Sequence, residues 1–175
     1  VSFVCRDRDD LYRAGKSVRW DRIFSEDDTF AIFANVSGND NLRHSKFASL
    51  CLKDSVADFF RERSGRRPDV DALNPDITIN LHVNRQSGTI SLDVSGGALH
   101  RRGYRLESVA APMRETIAAA VVALSGWKGE KPLYDPMCGS GTLLCEAVMK
   151  ISDVPAGFLR KDFGFRFLPD FDAKL

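Results

Sequence analysis

An excess of either charge is the first thing this chain lacks. Its 175 residues carry 25 Lys and Arg against 24 Asp and Glu, a net charge of +1. A uniformly polycationic protein is excluded, so any nucleic-acid contact has to come from local patches. Long apolar runs are also absent: nothing approaches the ~20 residues that would span a bilayer. The start, VSFVCRDRDD, turns charged after five residues, unlike a secretory signal. Cys5, Cys51, Cys138 and Cys145 form no Cys-x-x-Cys pair, and His44, His82 and His100 stand at no ligand spacing. No metal site is therefore expected. Scattered thiols without a secretion signal point to a reducing, cytoplasmic setting. Repeats and low-complexity stretches are missing as well. What remains is 43% hydrophobic and 28% charged, an ordinary globular composition, long enough for one good core or two small domains. With no initiator Met and a polar end, the chain is expected to be a piece of something longer.

The stretch that organises the rest is LYDPMCGSGTLLCEAVM, Leu133 to Met149. Leu133 and Tyr134 read as a strand that runs into Asp135-Pro136, Met137 to Thr142 as a glycine turn, and the residues after Thr142 as a helix. That is the place where open α/β sheets bind cofactors. Gly139 and Gly141 lack a Cβ, so a ligand can lie against the backbone and positive φ is allowed. Free N–H groups at the helix start favour an anionic group, and Asp135 can accept from an ammonium or hydroxyl. Two nucleotide motifs are excluded. No lysine lies between Met137 and Cys145, as a Walker loop requires, and Leu144 stands where a dinucleotide fingerprint needs its third glycine. A ligand with a carboxylate and no phosphate fits better, and S-adenosylmethionine is one.

Along the chain, Asp10 to Phe24 reads as a short helix or turn with Trp20 as a buried anchor. Thr29 to Val36 is rich in β-formers and puts Phe30, Ile32, Ala34 and Val36 on one face. Ser45 looks like an N-cap, followed by Ala48, Leu52, Val56, Phe59 and Phe60 at helical spacing, with Gly65 as the stop. Ile77, Ile79, Leu81 and Val83, then Ile90, Leu92 and Val94, alternate as two strands of a hairpin with a longer loop over Asn84 to Gly88. His82 falls on the polar face. Pro112 opens a further helix, in which Met113, Ile117, Val121 and Leu124 recur at i, i+4, i+8 and i+11 and Gly126 marks the end. A boundary is expected near Glu107 to Ala110.

Two basic segments stand out. Arg43-His44-Ser45-Lys46 precedes a helix, a plausible phosphate cradle. In His100-Arg101-Arg102, with Tyr104 and Arg105, cations bracket an aromatic able to stack on a base. Arg61, Arg63, Arg66 and Arg67, at a helix end, read as an ordinary solvated group.

Three stretches carry a resemblance. DPMCGSGTLLCEA resembles the cofactor motif of class I methyltransferases acting on exocyclic amines of nucleic acids. SGGALHRRGYR with APMRETIAAAVVALSGW is similar to the junction between a THUMP domain and such a catalytic domain. PAGFLRKDFGFRFLPDFD is similar to the segment after its first helix. On these motifs the chain is identified as a member of the THUMP-domain class I S-adenosylmethionine-dependent RNA methyltransferases, nearest to those that modify guanine N2 in bacterial 23S rRNA.

The resemblance implies an α/β protein: an α+β THUMP RNA-binding module over residues 1–105, its N-terminal part missing, then the start of a Rossmann-like methyltransferase domain over 106–175. It implies Asp135, Pro136, Cys138, Gly139, Ser140, Gly141 and Thr142 as the cofactor loop, with Pro112, Glu115 and Thr116 covering the methionine end of S-adenosylmethionine. Arg43, His44, Ser45 and Lys46, and His100, Arg101, Arg102, Tyr104 and Arg105, become RNA-facing. The implied reaction is methyl transfer to a guanine N2 amine of 23S rRNA, without a metal and without a membrane. The family's acidic ribose ligand and its Asn-Pro-Pro-Tyr-like loop are absent, so no catalytic residue is expected in this chain and it is expected to be inactive alone. Two alternatives are a THUMP-type tRNA guanine or adenine methyltransferase and a non-catalytic RNA-binding module.

Overall fold

A computed structural model describes residues 1–106, 110–161 and 163–172. The chain divides into two compact units. One comprises Val1–Gly97 joined by the segment that begins at Phe163; the other starts at Ala98 and fills the interval between. The expected boundary near Glu107 lies largely outside the described residues.

The first unit is a five-stranded sheet with helices. Its elements are β1 (Ser2–Val4), α1 (Arg8–Ser17), β2 (Thr29–Ser37), α2 (Ser45–Ser64), β3 (Asp69–Val70), β4 (Ile77–Asn84) and β5 (Ser87–Leu92). The sheet order is β1-β5-β4-β2-β3, with β2 parallel to β3 and β4 and the other pairings antiparallel. The alternation in β4 is strict: Ile77, Ile79, Leu81 and Val83 are buried while His82 is exposed. These residues meet the stripe of α2, where Ala48, Leu52, Val56, Phe59 and Phe60 are buried. Gly65 closes α2 in the left-handed conformation. Phe24 lies at the aromatic centre, 5.7 Å from Phe30 and 5.1 Å from Phe60 between ring centroids. Trp20 is fully buried in a 3-10 turn and donates its indole N–H to Gly15 O at 2.8 Å.

Three local expectations change. Ser45 is the first helical residue, not the cap; His44 caps with its backbone, and Ser45 Oγ accepts from Val36 N at 3.1 Å instead. The competing acceptor geometry ties α2 to β2. The hairpin turn is tight: Asn84 pairs with Ser87, leaving Arg85 and Gln86 as a two-residue turn with Arg85 at φ 54°. The polar run Asn84 to Gly88 hid this, because Ser87 and Gly88 pair despite being poor strand formers. Strand β5 ends at Leu92, and Val94 is exposed.

The second unit contains α3 (Glu115–Leu124) packed on α4 (Thr142–Ile151). Helix α3 begins three residues after Pro112, not at it. Its buried residues are Glu115, Ala118 and Val122; Met113, Ile117, Val121 and Leu124 are exposed. The helix is apolar nearly all round, so periodicity cannot select a face. Leu133 and Tyr134 are not in a strand: strand geometry is sustained by a ladder, and the described residues of this unit offer no partner strand.

Candidate cofactor site

The turn that links Leu133–Asp135 to α4 is held by its own chemistry. Asp135 Oδ1 accepts from Met137 N at 3.1 Å, Gly141 N donates to Cys138 O at 2.8 Å, and Cys145 N makes the first helical bond to Gly141 O at 2.9 Å. Gly139 and Gly141 have φ of 54° and 73°, and a methyl built on either would project into open space. The backbone is therefore bare on the side where a ligand would approach. A pocket of about 180 Å³ opens there, lined by Asp135, Met137, Cys138, Gly139, Ser140, Thr142 and Leu143 on one side and by Ala111, Pro112 and Met113 on the other. The carboxylate of Asp135, the bare turn and the start of a helix together offer an acceptor for an ammonium and donors for a carboxylate.

The structure thus brings Asp135, Cys138, Gly139, Ser140 and Thr142 together with Pro112. Pro136 and Gly141 shape the turn without lining the pocket. Glu115 does not line it either: its carboxylate is buried and lies 3.5 Å from Arg105 Nη2. Thr116 is exposed. The expectation that Glu115 meets the cofactor therefore gives way, because its charge is already engaged by Arg105.

The junction segment departs further from expectation. Arg102 Nε lies 2.8 Å from Glu146 Oε1, and the two side chains are 10% and 4% exposed. Tyr104 Oη donates to the same oxygen at 2.9 Å; burial, then that bond, raise its ionisation well above the usual tyrosine range. Arg105 Nη2 donates to Met113 O at 2.9 Å and Thr142 Oγ1 at 3.0 Å. These three residues are half-buried and engage side chains of α4, so their polar groups are held inward rather than presented as an open surface. Arg101 is exposed and His100 half-buried, so the outward part of this segment is narrower than its sequence suggested.

In the first unit, Arg43, His44 and Lys46 are exposed, whereas Ser45 is half-buried and engaged with β2. Sequence reasoning missed Arg85. Its side chain packs beside Gly38, in the loop that leads to Arg43. Arg61, Arg63 and Arg66, by contrast, are paired with Asp58, Asp21 and Asp27. A single Arg in a turn carries no periodic signal, so only the fold could place Arg85 near that segment. Among the described residues no group of three or more His, Cys, Asp or Glu is poised for a metal, and no helix is long and apolar enough to cross a membrane.

The fold and site define the class: a mixed α/β sheet unit in one part of the chain, and in the other a helical unit that carries a glycine-turn pocket. The chain belongs to the THUMP-domain proteins that carry an RMKL-like methyltransferase domain, the first matched over residues 5–93 and the second over 102–174. It is 42% identical over 170 residues to the ribosomal RNA large subunit methyltransferase K/L of Photobacterium profundum, covering 97% of this chain and 24% of that protein. The chain spans about a quarter of the length of such relatives. Among solved structures, SMU.472, a candidate methyltransferase in complex with SAH, matches with a TM-score of 0.86 at 27% identity, covering 99% of this chain and 46% of that one. A predicted N6-adenine-specific DNA methylase of Listeria monocytogenes matches with a TM-score of 0.85 at 29% identity, covering 99% and 45%.

Proposed function

We propose that this chain is the RNA-gripping and cofactor-binding part of an S-adenosylmethionine-dependent methyltransferase acting on the N2 amine of a guanine in 23S rRNA. The observation that carries the reading is the pocket in which the bare Gly139–Gly141 turn faces Pro112 beside Asp135. The name of the Photobacterium profundum relative supports large-subunit rRNA as substrate, and SAH in SMU.472 supports the cofactor.

In this reading Asp135 receives the ammonium of the amino-acid moiety, and the helix start at Thr142 with the turn amides receives its carboxylate. S-adenosylmethionine supplies a sulfonium-activated methyl group, so no metal is needed. Arg43, His44, Lys46 and Arg85 grip phosphates on the first unit, and Arg101 with His100 on the second. The guanine amine is a weak nucleophile because its lone pair is delocalised, and it has to be unstacked and held by acceptors to react. We place those acceptors outside this chain, which by itself binds but does not transfer. The test is to incubate a 23S rRNA transcript with labelled S-adenosylmethionine and the protein at the length of its curated relatives, then digest to nucleosides. N2-methylguanosine is expected. Label in N6-methyladenosine, or in tRNA and not in 23S rRNA, contradicts the reading.

A further inference from the structure

The pocket has two walls drawn from separate stretches of chain. Pro112 and Met113 precede α3, and Cys138 to Thr142 lead into α4. One guanidinium spans them. Arg105 Nη2 donates to Met113 O at 2.9 Å on the first wall and to Thr142 Oγ1 at 3.0 Å on the second. Thr142 Oγ1 is in turn 3.2 Å from Ser140 Oγ within the glycine turn, so the contact continues into the loop. Glu115, 3.5 Å away and buried, balances the charge. Both bonds come from the one nitrogen, Nη2, at the end of a long side chain, so a single cationic group holds both walls.

The arrangement is not the cheapest way to fill that space. Arg105 Nε is buried without a hydrogen-bond partner among the described residues, and an unmade bond of this kind carries a desolvation cost. An apolar side chain would avoid it. A bridge that fixes the position of two backbone segments gives the arginine a role that packing alone does not.

We propose that Arg105 is a positioning residue of the cofactor pocket: by bridging Met113 O and Thr142 Oγ1 it sets the separation of the two walls and thereby the affinity for S-adenosylmethionine and its demethylated product. The inference rests on the cofactor reading above and goes beyond it in assigning the residue that holds the pocket open to the right width. Arg105 touches no reacting atom; it acts through Thr142 and Met113. Its two partners also explain why the neighbouring Arg102 is not equivalent, since Arg102 pairs with Glu146, a turn further along α4.

The test is SAH binding to the full chain by calorimetry. Arg105→Ala should weaken binding at least tenfold, Arg105→Lys should restore part of the loss because a single ammonium can donate to both acceptors on a shorter side chain, and added methylguanidinium should partly rescue Arg105→Ala. Thr142→Val should weaken binding in the unsubstituted background and add little in Arg105→Ala, as expected for two ends of one contact. Lys128→Ala, an exposed change in the same unit, should bind normally. If Arg105→Ala does not fold by circular dichroism, Arg105→Lys and Thr142→Val carry the test. Unchanged affinity in the folded variants, or additive losses, overturns the positioning role. Absence of SAH binding by the unsubstituted chain overturns the cofactor reading instead, and this inference with it.

Discussion

At the scale of single residues, the four thiols separate by environment. Burial, then Asp10 and Asp7, push the Cys5 thiol up to about 11, and Cys51 is raised by burial as well. Cys138 is exposed on the pocket wall. A thiolate reagent at neutral pH should therefore modify Cys138 well before Cys5 or Cys51, and saturating SAH should slow the modification of Cys138. Peptide mapping after timed labelling checks both. Carboxylates show the opposite shift. Hydrogen bonds from Arg6 hold Asp10 well below its ordinary 3.8, and the Arg19 bond brings Asp21 down to about 2. Depressed folded-state values mean that this stabilisation is complete above about pH 4 and is lost as pH falls toward 2. Urea midpoints should fall across that window, and Asp21→Asn should flatten the fall.

Sequence alone did not reveal a side chain's engagement where the partner is remote. Arg102 and Tyr104 looked like an RNA surface because cations beside an aromatic fit that chemistry. Their shared acceptor, Glu146, lies more than forty positions away on a helix whose neighbours no local pattern reveals. The glycine turn was legible because its chemistry is local: positive φ at Gly139 and Gly141 follows from residue type and spacing.

At the scale of elements, the helix pair α1–α2 depends on a close approach. A methyl at Gly15 would lie 2.7 Å from Leu52 Cδ1 and collide with Ser55 Oγ, which is fully buried. Gly15→Ala should cost about 1–3 kcal/mol, the usual range for overpacking, read as a lowered thermal midpoint. In the second unit, Glu146 is the common acceptor for Arg102 and Tyr104. Glu146→Ala leaves a nearly buried guanidinium unpaired and should destabilise that unit by about 3–5 kcal/mol; hydrogen exchange along α4 is the measurement. Elements with a single clear period, such as β4 and α2, were legible with their faces. Helix α3 was legible as a helix but not in its face, because its sequence, ETIAAAVVAL, is apolar in every direction.

At the scale of the molecule, a net charge near zero concentrates recognition in a few places. In the first unit, cations such as Arg61, Arg63 and Arg66 are spent on carboxylates, whereas Arg43, Lys46 and Arg85 make no salt bridge among the described residues and lie in or beside neighbouring loops. Arg43→Ala with Lys46→Ala should weaken binding of a 23S rRNA transcript and lower the salt slope by about one for each phosphate no longer neutralised. Arg61→Ala should leave that slope unchanged. The sequence suggested two units with a boundary near Glu107 to Ala110, whereas the compact units divide at Gly97 and Ala98; the return of the Phe163 segment to the first unit, where Phe165 N meets Val94 O at 3.0 Å, had no sequence signal. That return depends on a long-range hydrogen bond with no local signature.

The central claim is that the turn from Asp135 to Thr142 holds an S-adenosyl cofactor. Calorimetric titration of the chain with SAH, repeated on Gly139→Val, tests it most directly. One site per chain is expected, lost in Gly139→Val because the side chain would enter the open face of the turn and strain a positive φ. No heat from the unsubstituted chain, or equal binding by the variant, would contradict it.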